Sequence, residues 1–391
     1  MTGQEPMRVG ILGATGSVGS ATLDICRRFP DRFRVTALAA RSNGKALLAL
    51  GRELQAEALC LTAPGEAFSP DPETRFYRGT RGLLDLVETE QVDHWVFASS
   101  GTDAIEALVQ AIRLDRDVSL ANKESIVVAG PWVLPELRRP DQLRPVDSEH
   151  SALWQCLHGE PTLRLRQLWL TASGGPFRDL PLDRFDAVTP QTALAHPVWR
   201  MGPKITVDSA TLVNKGIECI EAMRLFAQPM EKVGALIHPR SQVHGLALFQ
   251  DGSCKLLLSS ADMRLPAAAA LAYPDRLPLL DQGFDFPGPE VWDLRFEPVD
   301  PIRFPGFTVA CRAGQEDGPY PALLVGADEV AVEAFLSERI PFFRIAAVLD
   351  QVLSSYDGPA PASLADAVDL VEQGRRKARS LCGMSEEVRP R

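Results

Sequence analysis

The sequence predicts an α/β protein with a helix-covered parallel sheet, a second α/β region and a C-terminal helical bundle. Two observations lead to this fold class. Short apolar runs alternate with segments of helical spacing over residues 8 to 120, as in proteins whose parallel strands are joined by helices. From about residue 147 the pattern changes to strands with a hairpin turn, and the last long segments have helical spacing.

The elements of the first region follow in order along the chain. The runs RVGIL, FRVTALA, ALCL, HWVFA and DVSLA are rich in Val, Leu and Ala and are predicted to be buried strands. Between them, VGSATLDICRRF, KALLALGREL, RGLLDLVE and AIEALVQAIRL have the spacing of helices with one apolar face. This alternation predicts parallel strands with helices on both faces of the sheet.

The remaining elements suggest further domains. LRQLWLTASGGPF and EKVGALIHPRSQVHGLALFQDGSCKLLLSS predict a second sheet, in which Asp251 and Gly252 mark a hairpin turn. Residues 276–309 are rich in Pro and Asp, as in a linker, and ADEVAVEAFLSERIPFFRIAAVLDQVLSS and SLADAVDLVEQGRRKARSLC are helical. We therefore expect domains at 1–147, 148–275 and 310–391, with a linker at 276–309.

Composition and charge narrow the functional class. The chain is 45% hydrophobic and 24% charged, and its net charge of −10 argues against nucleic acid as a partner, since phosphate backbones require basic surfaces. Seven cysteines without a Cys-x-x-Cys pair are typical of a reduced, cytoplasmic protein. No apolar run approaches the roughly 18 residues that a membrane span needs, so no membrane association is expected.

A glycine-rich loop follows the first predicted strand. In GILGATGSVG, Gly13, Gly16 and Gly19 have G-x-x-G-x-x-G spacing, and a helix begins directly after them. Glycines let a phosphate approach the backbone, and the helix N-terminus offers free N–H groups to a pyrophosphate. The loop therefore predicts dinucleotide binding, and the alternative is a glycine-rich turn without a ligand.

The end of the second strand indicates which dinucleotide is bound. An acid at this position would bind the 2′-hydroxyl of NAD, but the chain has Arg41, Ser42 and Asn43. Arg and Ser suit a 2′-phosphate, which favours NADPH. The alternative is that Arg41 is a solvated loop charge.

Two polar clusters follow later strands of the first sheet. Asn122 and Lys123 in ANKES come directly after DVSLA, at the strand end where ligands bind in this architecture. In PVDSEH, an extended backbone would point Asp147 and Glu149 to one side, where like charges repel and require a cation. A helix cap with first-turn acids is the alternative for this segment.

The segment SATLVNKGIE predicts a helix with Ser209 as its N-cap. Asn214 and Glu218 are four residues apart, and Lys215 and Glu218 are three apart, so these side chains share one face. An ordinary Lys–Glu pair on a wet surface is the alternative. The surrounding apolar and hydroxyl residues are unlike a solvated face.

Taken together, these motifs make the chain resemble the 1-deoxy-D-xylulose 5-phosphate reductoisomerase family. The resemblance runs in order through GILGATGSVG, ANKES, PVDSEH, TASGGPF, HPVWRMGPKITVDSATLVNKGIE, IHPRSQVHG, DMRLP and ADEVAVEAFL, which is nearly the whole chain. It implies a Rossmann-like NADPH-binding domain, a catalytic domain with a mobile loop at about 194–203, and a homodimer. The reaction it implies rearranges the sugar phosphate by retro-aldol cleavage and aldol rejoining, after which NADPH reduces the product to 2-C-methyl-D-erythritol 4-phosphate for isoprenoid precursors.

The resemblance also implies roles for individual residues. Asp147, Glu149 and Glu218 would bind one Mg²⁺ or Mn²⁺ ion through hard carboxylate oxygens, with Lys123 and His196 as further catalytic residues. The phosphorylated sugar would contact Lys123, Ser148, Glu149, Ser173, His196, Trp199, Ser209, Asn214, Lys215 and Glu218. NADPH would contact Gly13, Thr15, Gly16, Ser17, Val18, Arg41, Ser42, Asn43, Asn122, Glu124 and Gly202.

Some residues depart from the family's pattern, and two other functions remain open. Val198 replaces a usual Asn in the mobile loop, and the segment from Val325 to Glu329 replaces Asn-Ala-Ala-Asn-Glu at positions we expect to be structural. One alternative is a semialdehyde-type dehydrogenase that uses Cys156 as an acyl acceptor and needs no metal. The other is a non-catalytic NADPH sensor.

Overall fold

The chain divides into two compact units. The computed structural model describes residues 5–63, 70–195, 202–279 and 294–385. Unit 1 contains residues 1–125, 131–154 and 262–283, and unit 2 contains residues 126–130, 155–261 and 284–391. The domain boundaries predicted from the sequence, at 147, 275 and 309, remain predictions.

Unit 1 is built on a parallel sheet. Within its described residues the seven strands have the order β4-β3-β2-β1-β5-β6-β7, and each neighbouring pair is parallel. The strands are Met7–Leu12 (β1), Phe33–Ala40 (β2), Ala58–Leu61 (β3), Arg75–Arg78 (β4), His94–Phe97 (β5), Asp117–Leu120 (β6) and Leu143–Pro145 (β7). The strand order reverses between β1 and β5, and this switch point is where open α/β sheets bind their ligands.

Helices bury the apolar strands of unit 1. The described helices that lie wholly or in part in this unit are Ser17–Arg28 (α1), Gly44–Leu54 (α2), Gly79–Thr89 (α3), Ile105–Arg113 (α4), Lys123–Val133 (α5), Ser148–Leu157 (α6) and Arg264–Ala272 (α10). Leu23 of α1 and Leu271 of α10 lie in one core cluster with Val9, Ile11 and Leu38 of the sheet. Burial of the strand side chains in such a core is what the continuous Val, Leu and Ala runs predict.

Unit 2 contains a mixed sheet. In its described residues the strand order is β11-β10-β8-β9-β12, with β8 and β9 parallel and the other pairs antiparallel. The strands are Leu165–Ala172 (β8), Val233–Ile237 (β9), Val243–Phe249 (β10), Cys254–Leu258 (β11) and Glu297–Pro298 (β12). The predicted β10–β11 hairpin is confirmed, with Gly252 at φ +87° and Ser253 N donating to Asp251 Oδ1 at 2.9 Å. Strand β12 lies in the predicted linker and pairs with β9.

The helices of unit 2 include the predicted C-terminal group. They are Pro190–Ala193 (α7), Pro203–Thr211 (α8), Val213–Leu225 (α9), Pro305–Glu316 (α11), Tyr320–Leu336 (α12), Arg344–Ser354 (α13) and Leu364–Leu381 (α14). Short 3₁₀ helices occur in both units, at Leu134–Glu136, Thr162–Arg164, Leu182–Ala187 and Met230–Lys232. The predicted fold class is confirmed, and none of the helices in the described ranges is long and apolar enough to cross a membrane.

Candidate active site

The glycine loop lies at the switch point of the unit 1 sheet. Gly13 follows β1 at φ +86°, and a Cβ atom there would lie 2.5 Å from the carbonyl oxygen of Ala98. A Cβ atom on Gly19 would lie 2.3 Å from Gly13 O, so α1 can approach the loop this closely only without a side chain. Gly16 is the N-cap of α1, whose first turn receives no side-chain cap and contains no acid. This arrangement leaves the helix N-terminus available to an anion.

A cavity of about 190 Å³ adjoins this loop. Its lining includes four of the predicted cofactor residues, Gly13, Thr15, Gly16 and Arg41. Of the other predicted residues, Ser17 and Val18 form the start of α1 beside the cavity. The structure therefore brings the loop and the end of β2 together around one opening, as the dinucleotide prediction requires.

Asn43 has a structural role that was not predicted. Its Oδ1 accepts a hydrogen bond from Ala46 N at 3.1 Å and so caps α2. Ser42, which precedes it, is exposed.

The cavity also contains residues that the sequence prediction missed. Thr62, Ser99, Ser100 and Asp103 all line it. Ser99 Oγ is buried, and no hydrogen-bond partner for it exists among the described residues. Ser99 and Ser100 could have been predicted as cavity residues, because they directly follow the strand β5. The carboxyl end of β5 lies beside that of β1, where such sheets bind ligands.

Asn122 fixes the loop after β5 to the start of α5. Its amide nitrogen donates to Ser99 O at 2.8 Å and to Gly101 O at 2.9 Å. Its Oδ1 accepts from Ser125 N at 2.9 Å, which makes Asn122 the cap of α5. Since Asn122 is 1% exposed, it acts on the cavity by holding the loop of Ser99 in place. The predicted residue Glu124 lies in the first turn of α5.

Lys123 and Asp147 form a close ion pair in unit 1. Lys123 Nζ lies 2.8 Å from Asp147 Oδ2, and the two side chains are 11% and 17% exposed. The buried His150 ring also approaches this carboxylate, with Nδ1 4.0 Å from Oδ2. Part of the positive charge that the acid pair needs therefore comes from the ANKES segment.

The two acids of PVDSEH lie at a helix start. The extended backbone expected for this segment is wrong, because α6 begins at Ser148 and Ser151 N bonds Asp147 O at 2.8 Å. The carboxylate oxygens of Asp147 and Glu149 still lie within 4.8 Å of each other. Ser148 Oγ donates to Glu149 Oε2 at 2.6 Å. The backbone therefore has the conformation of the helix-cap alternative. In this conformation the two acids are also close enough to share a cation.

In unit 2, the TASGG turn lies against α8. Ser173 follows β8, and its Oγ accepts a hydrogen bond from Gly175 N at 3.2 Å. Gly174 and Gly175 have φ values of +87° and +63°. A Cβ atom on Gly175 would lie 2.8 Å from Ser209 O, so the turn and Ser209 can be neighbours only because this residue is glycine.

Ser209 is not the N-cap predicted from the sequence. Helix α8 begins earlier, at Pro203 with Gly202 as its N-cap, and Ser209 lies in its last turn. Leu212 has the left-handed φ of 55° and separates α8 from α9. Asn214, Lys215 and Glu218 then lie on α9, as predicted.

Glu218 is the most buried of the predicted metal ligands. Asn214 Nδ2 donates to its Oε1, and Lys215 Nζ donates to its Oε2. The shared face predicted from the spacing is thus confirmed. The wet-surface alternative is wrong, since Lys215 and Glu218 are 5% and 2% exposed.

Two predicted residues, His196 and Trp199, lie outside the described residues. Gly202 is exposed, and its carbonyl oxygen accepts a hydrogen bond from Thr206 Oγ1 at 2.8 Å. It therefore forms the start of α8 and leaves room beside its Cα, where an added Cβ would meet nothing within 4 Å.

The environment of Cys156 does not suit an acyl acceptor. Cys156 lies in α6 and is 8% exposed. Burial raises the pKa of its thiol to about 11, which disfavours the nucleophilic thiolate. This observation counts against the semialdehyde-type dehydrogenase.

Comparison with known proteins identifies the family along most of the chain. The 1-deoxy-D-xylulose 5-phosphate reductoisomerase model matches residues 9–130, the model of its C-terminal domain matches 143–226, and a DXP reductoisomerase C-terminal domain model matches 258–377. The reductoisomerase of Thermomicrobium roseum is 44% identical over 379 residues, which cover 96% of this chain and 97% of the relative. That of Chloroherpeton thalassium is 38% identical, with 94% and 96% covered.

Solved structures agree with the sequence matches. The Zymomonas mobilis 1-deoxy-D-xylulose 5-phosphate reductoisomerase in complex with NADPH has a TM-score of 0.86 at 35% identity, with 96% of this chain and 99% of that chain covered. A DOX-P reductoisomerase in complex with NADPH, fosmidomycin and magnesium has a TM-score of 0.87 at 32% identity, with 96% and 98% covered. The resemblance inferred from the motifs is confirmed, and this chain belongs to the 1-deoxy-D-xylulose 5-phosphate reductoisomerase family.

Proposed function

We propose that this chain is an NADP-dependent oxidoreductase that converts 1-deoxy-D-xylulose 5-phosphate, NADPH and a proton to 2-C-methyl-D-erythritol 4-phosphate and NADP⁺. The reaction is an isomerisation followed by a reduction and requires a divalent cation. It supplies the non-mevalonate route to isoprenoid precursors. The observation that carries the proposal is the family membership, at 44% identity over 96% of the chain.

The proposed binding site of the cofactor is at the cavity of unit 1. The glycine loop offers backbone N–H groups at the start of α1, and the buried Ser99 Oγ is a polar atom for which a bound dinucleotide supplies a partner. Arg41 lines the same cavity and binds the 2′-phosphate that distinguishes NADPH from NADH. NADPH supplies the hydride when bound, and these residues hold and orient it.

Asp147, Glu149 and Glu218 are the proposed ligands of one Mg²⁺ or Mn²⁺ ion. All three are hard carboxylate donors, and the oxygens of Asp147 and Glu149 already lie within 4.8 Å of each other. A bound dication polarises substrate oxygens and lowers the pKa of a substrate hydroxyl. Lys123, whose ammonium lies 2.8 Å from Asp147, stabilises negative charge that develops on the substrate.

The phosphate of the substrate is assigned to small donors of unit 2. Ser173 and Ser209 lie at the contact between the TASGG turn and α8, and Asn214 and Lys215 follow on α9. One buried ammonium with neutral donors binds a phosphate without a basic surface, which agrees with the net charge of −10. Ser148 hydrogen-bonds a substrate hydroxyl, and His196 and Trp199 cover the substrate and exclude water.

Two further assignments accompany this function. The active form is a homodimer, as the resemblance implies. The enzyme works in the cytoplasm, and its seven cysteines, all within the described residues, are free thiols as expected in a reducing compartment.

The test is an assay of NADPH absorbance with 1-deoxy-D-xylulose 5-phosphate, with and without Mg²⁺. We expect one NADPH consumed per methylerythritol phosphate formed, and no turnover in EDTA. NADPH binding without turnover of this sugar phosphate in the presence of metal would instead identify the non-catalytic sensor. Turnover that is insensitive to EDTA would show that the reaction does not require a divalent cation.

A further inference from the structure

Lys204 pairs with two buried carboxylates, Asp208 and Asp328, in an ion-pair cluster of unit 2 that the proposed function does not use. Lys204 Nζ lies 2.7 Å from Asp208 Oδ2 and also pairs with Asp328 Oδ2. The side chains of Asp208 and Asp328 are 3% and 0% exposed, whereas that of Lys204 is 39% exposed and reaches them from the surface. The cluster joins α8, which carries Lys204 and Asp208, to α12, which carries Asp328.

Helix α8 alone does not account for the position of Lys204. A lysine in the first turn of a helix is repelled by the positive end of the helix dipole. A Lys four residues before an Asp is also the less favourable order for an intrahelical pair. The ammonium of Lys204 is stabilised at this position by its ion pair with the fully buried carboxylate of Asp328. That carboxylate in turn requires a cation, because an unpaired buried charge is strongly destabilising.

The environment of Asp328 supports a specific role for Lys204. Asp328 lies near the middle of α12, most of whose residues are buried. Its Oδ1 has no hydrogen-bond partner among the described residues, so the Lys204 ammonium is the group that compensates this carboxylate there. Losing either member therefore changes how α8 is held against α12.

The cluster is directly connected to the proposed phosphate site. Asp208 immediately precedes Ser209, whose carbonyl oxygen lies against Gly175 of the TASGG turn. Any change in the orientation of α8 therefore moves Ser209 relative to Ser173. It also moves the start of α9, since only Leu212 separates the two helices.

We propose that Asp328 is a positioning residue for substrate binding. Through Lys204 it fixes α8 against α12, so that Ser209 and the start of α9 are held in the geometry that binds the substrate phosphate. The proposal rests on the proposed function, because Ser209 is a phosphate ligand only in that context. Asp328 itself contacts no substrate in this role.

The test compares steady-state kinetics of Asp328→Asn with the unmodified enzyme. Asparagine, the usual residue of the family's segment at this position, keeps the shape and removes the charge that holds Lys204 in this chain. We expect the KM for 1-deoxy-D-xylulose 5-phosphate to rise about tenfold, which corresponds to about 1.4 kcal/mol of binding free energy. The KM for NADPH should change less than about twofold, because the cofactor cavity is built from other elements. Lys204→Met should give the same change, and the double variant should be little worse than either single variant.

Glu329→Gln is the matched control on the same helix. Glu329 is adjacent to Asp328 on α12, and its Oε2 lies 2.7 Å from Arg375 Nε on α14. This variant should lower the melting temperature without changing either KM. If Asp328→Asn behaves in the same way as Glu329→Gln, the cluster is only a structural ion pair and the positioning role is wrong.

Hydrogen exchange separates this inference from the proposed function. Backbone amides of residues 202–212 should exchange faster in Asp328→Asn, and in Lys204→Met, than in the unmodified chain or in Glu329→Gln. Unchanged exchange in this segment overturns the positioning role, whatever the kinetics show. If the unmodified chain does not turn over the sugar phosphate, the proposed function fails, and the assignment of Asp328 to substrate binding fails with it. Faster exchange would then leave only a role in holding α8.

Discussion

Arg41 is the residue to which we assign the preference for NADPH. It lines the cavity beside the glycine loop, and its side chain is exposed enough to reach a bound ligand. Removing a guanidinium that binds the 2′-phosphate costs about 1.5–3 kcal/mol, as for hydrogen bonds to charged groups. NADH lacks that phosphate, so its binding free energy should change little when the guanidinium is removed.

Arg41→Ala should therefore weaken NADPH binding by roughly tenfold to a hundredfold and NADH binding by less than about twofold. The measurement is a fluorescence titration with each cofactor. Lys45→Ala is the control, since Lys45 is exposed, lies on α2 four residues away and does not line the cavity. Equal losses of NADPH and NADH affinity in Arg41→Ala would place its side chain away from the 2′-phosphate.

His94 couples the stability of the unit 1 sheet to pH. It is fully buried on β5, with Nε2 2.7 Å from Ser119 Oγ on β6. Burial, with a further contribution from the Arg144 guanidinium, lowers the pKa of His94 to about 3. The unfolded chain has a histidine pKa of about 6.5, so between these values it binds more protons than the folded chain and stability falls as the pH falls.

Lowering the pH from about 7.5 to about 5 should therefore remove about 2 kcal/mol of unfolding free energy through His94 alone. Glutamine cannot be protonated in this range. The unfolding free energy of His94→Gln should therefore fall by about 2 kcal/mol less than that of the unmodified chain over the same pH interval. Urea unfolding at the two pH values measures the difference, with the denaturant slope as a check that the unfolded state is comparable. Identical losses in both proteins would mean that His94 is protonated in the folded state.

Some residue-scale features were predictable from the sequence and others were not. The i,i+3 and i,i+4 spacing places Lys215 and Asn214 on Glu218, because it depends only on helix geometry. The capping role of Asn43 was not foreseen, since local polar residues at a strand end serve both caps and ligands. Ser209 was misplaced as a cap because the left-handed Leu212 has no recognisable signal in the sequence.

At the scale of elements, the packing of α12 against α14 depends on two glycines. A Cβ atom on Gly326 would lie 2.0 Å from Val371 O, and one on Gly374 would lie 2.4 Å from Leu323 O. The backbones of the two helices approach so closely that neither position has room for a methyl group. This close approach explains why Gly326 replaces the usual alanine of the family in the segment from Val325 to Glu329.

Gly326→Ala should destabilise the protein by about 1–3 kcal/mol through overpacking, even though alanine favours a helix. Glu333→Ala, at an exposed position on the same helix, should stay within about 0.5 kcal/mol. Denaturant unfolding measures both. A stabilised Gly326→Ala would show that the two helices separate easily and that the close contact is not a constraint.

Strand prediction succeeded where the strands are apolar and failed at the sheet edges. The five apolar runs of unit 1 became β1, β2, β3, β5 and β6. The two edge strands, β4 with sequence RFYR and β7 with sequence LRP, were not predicted. Edge strands pair on one side only and often carry charges that prevent further pairing, so their sequences lack the apolar signal.

At the scale of the whole molecule, the proposed function divides the ligands between the two units. Unit 1 contains the proposed cofactor cavity together with Asp147 and Glu149, and unit 2 contains Glu218 and the proposed donors for the phosphate. A sequence can indicate such a division only through motifs, since each unit is assembled from separate stretches of chain. The metal should therefore affect turnover of the sugar phosphate, whereas NADPH binding should depend on it little.

Removing the metal with EDTA should abolish turnover and leave NADPH affinity within about twofold, because the cavity is lined by none of the proposed metal ligands. Mg²⁺ that binds only the folded state should also raise the unfolding free energy, by about 2.7 kcal/mol at a concentration of about 100 Kd. Thermal scans with increasing Mg²⁺ measure this stabilisation without any turnover. Glu218→Gln should reduce it strongly, whereas Glu231→Gln, an exposed carboxylate outside the site, should retain it in full. If Mg²⁺ stabilises Glu218→Gln as much as the unmodified chain, the buried carboxylate on α9 serves its contacts with Asn214 and Lys215 and does not bind the ion.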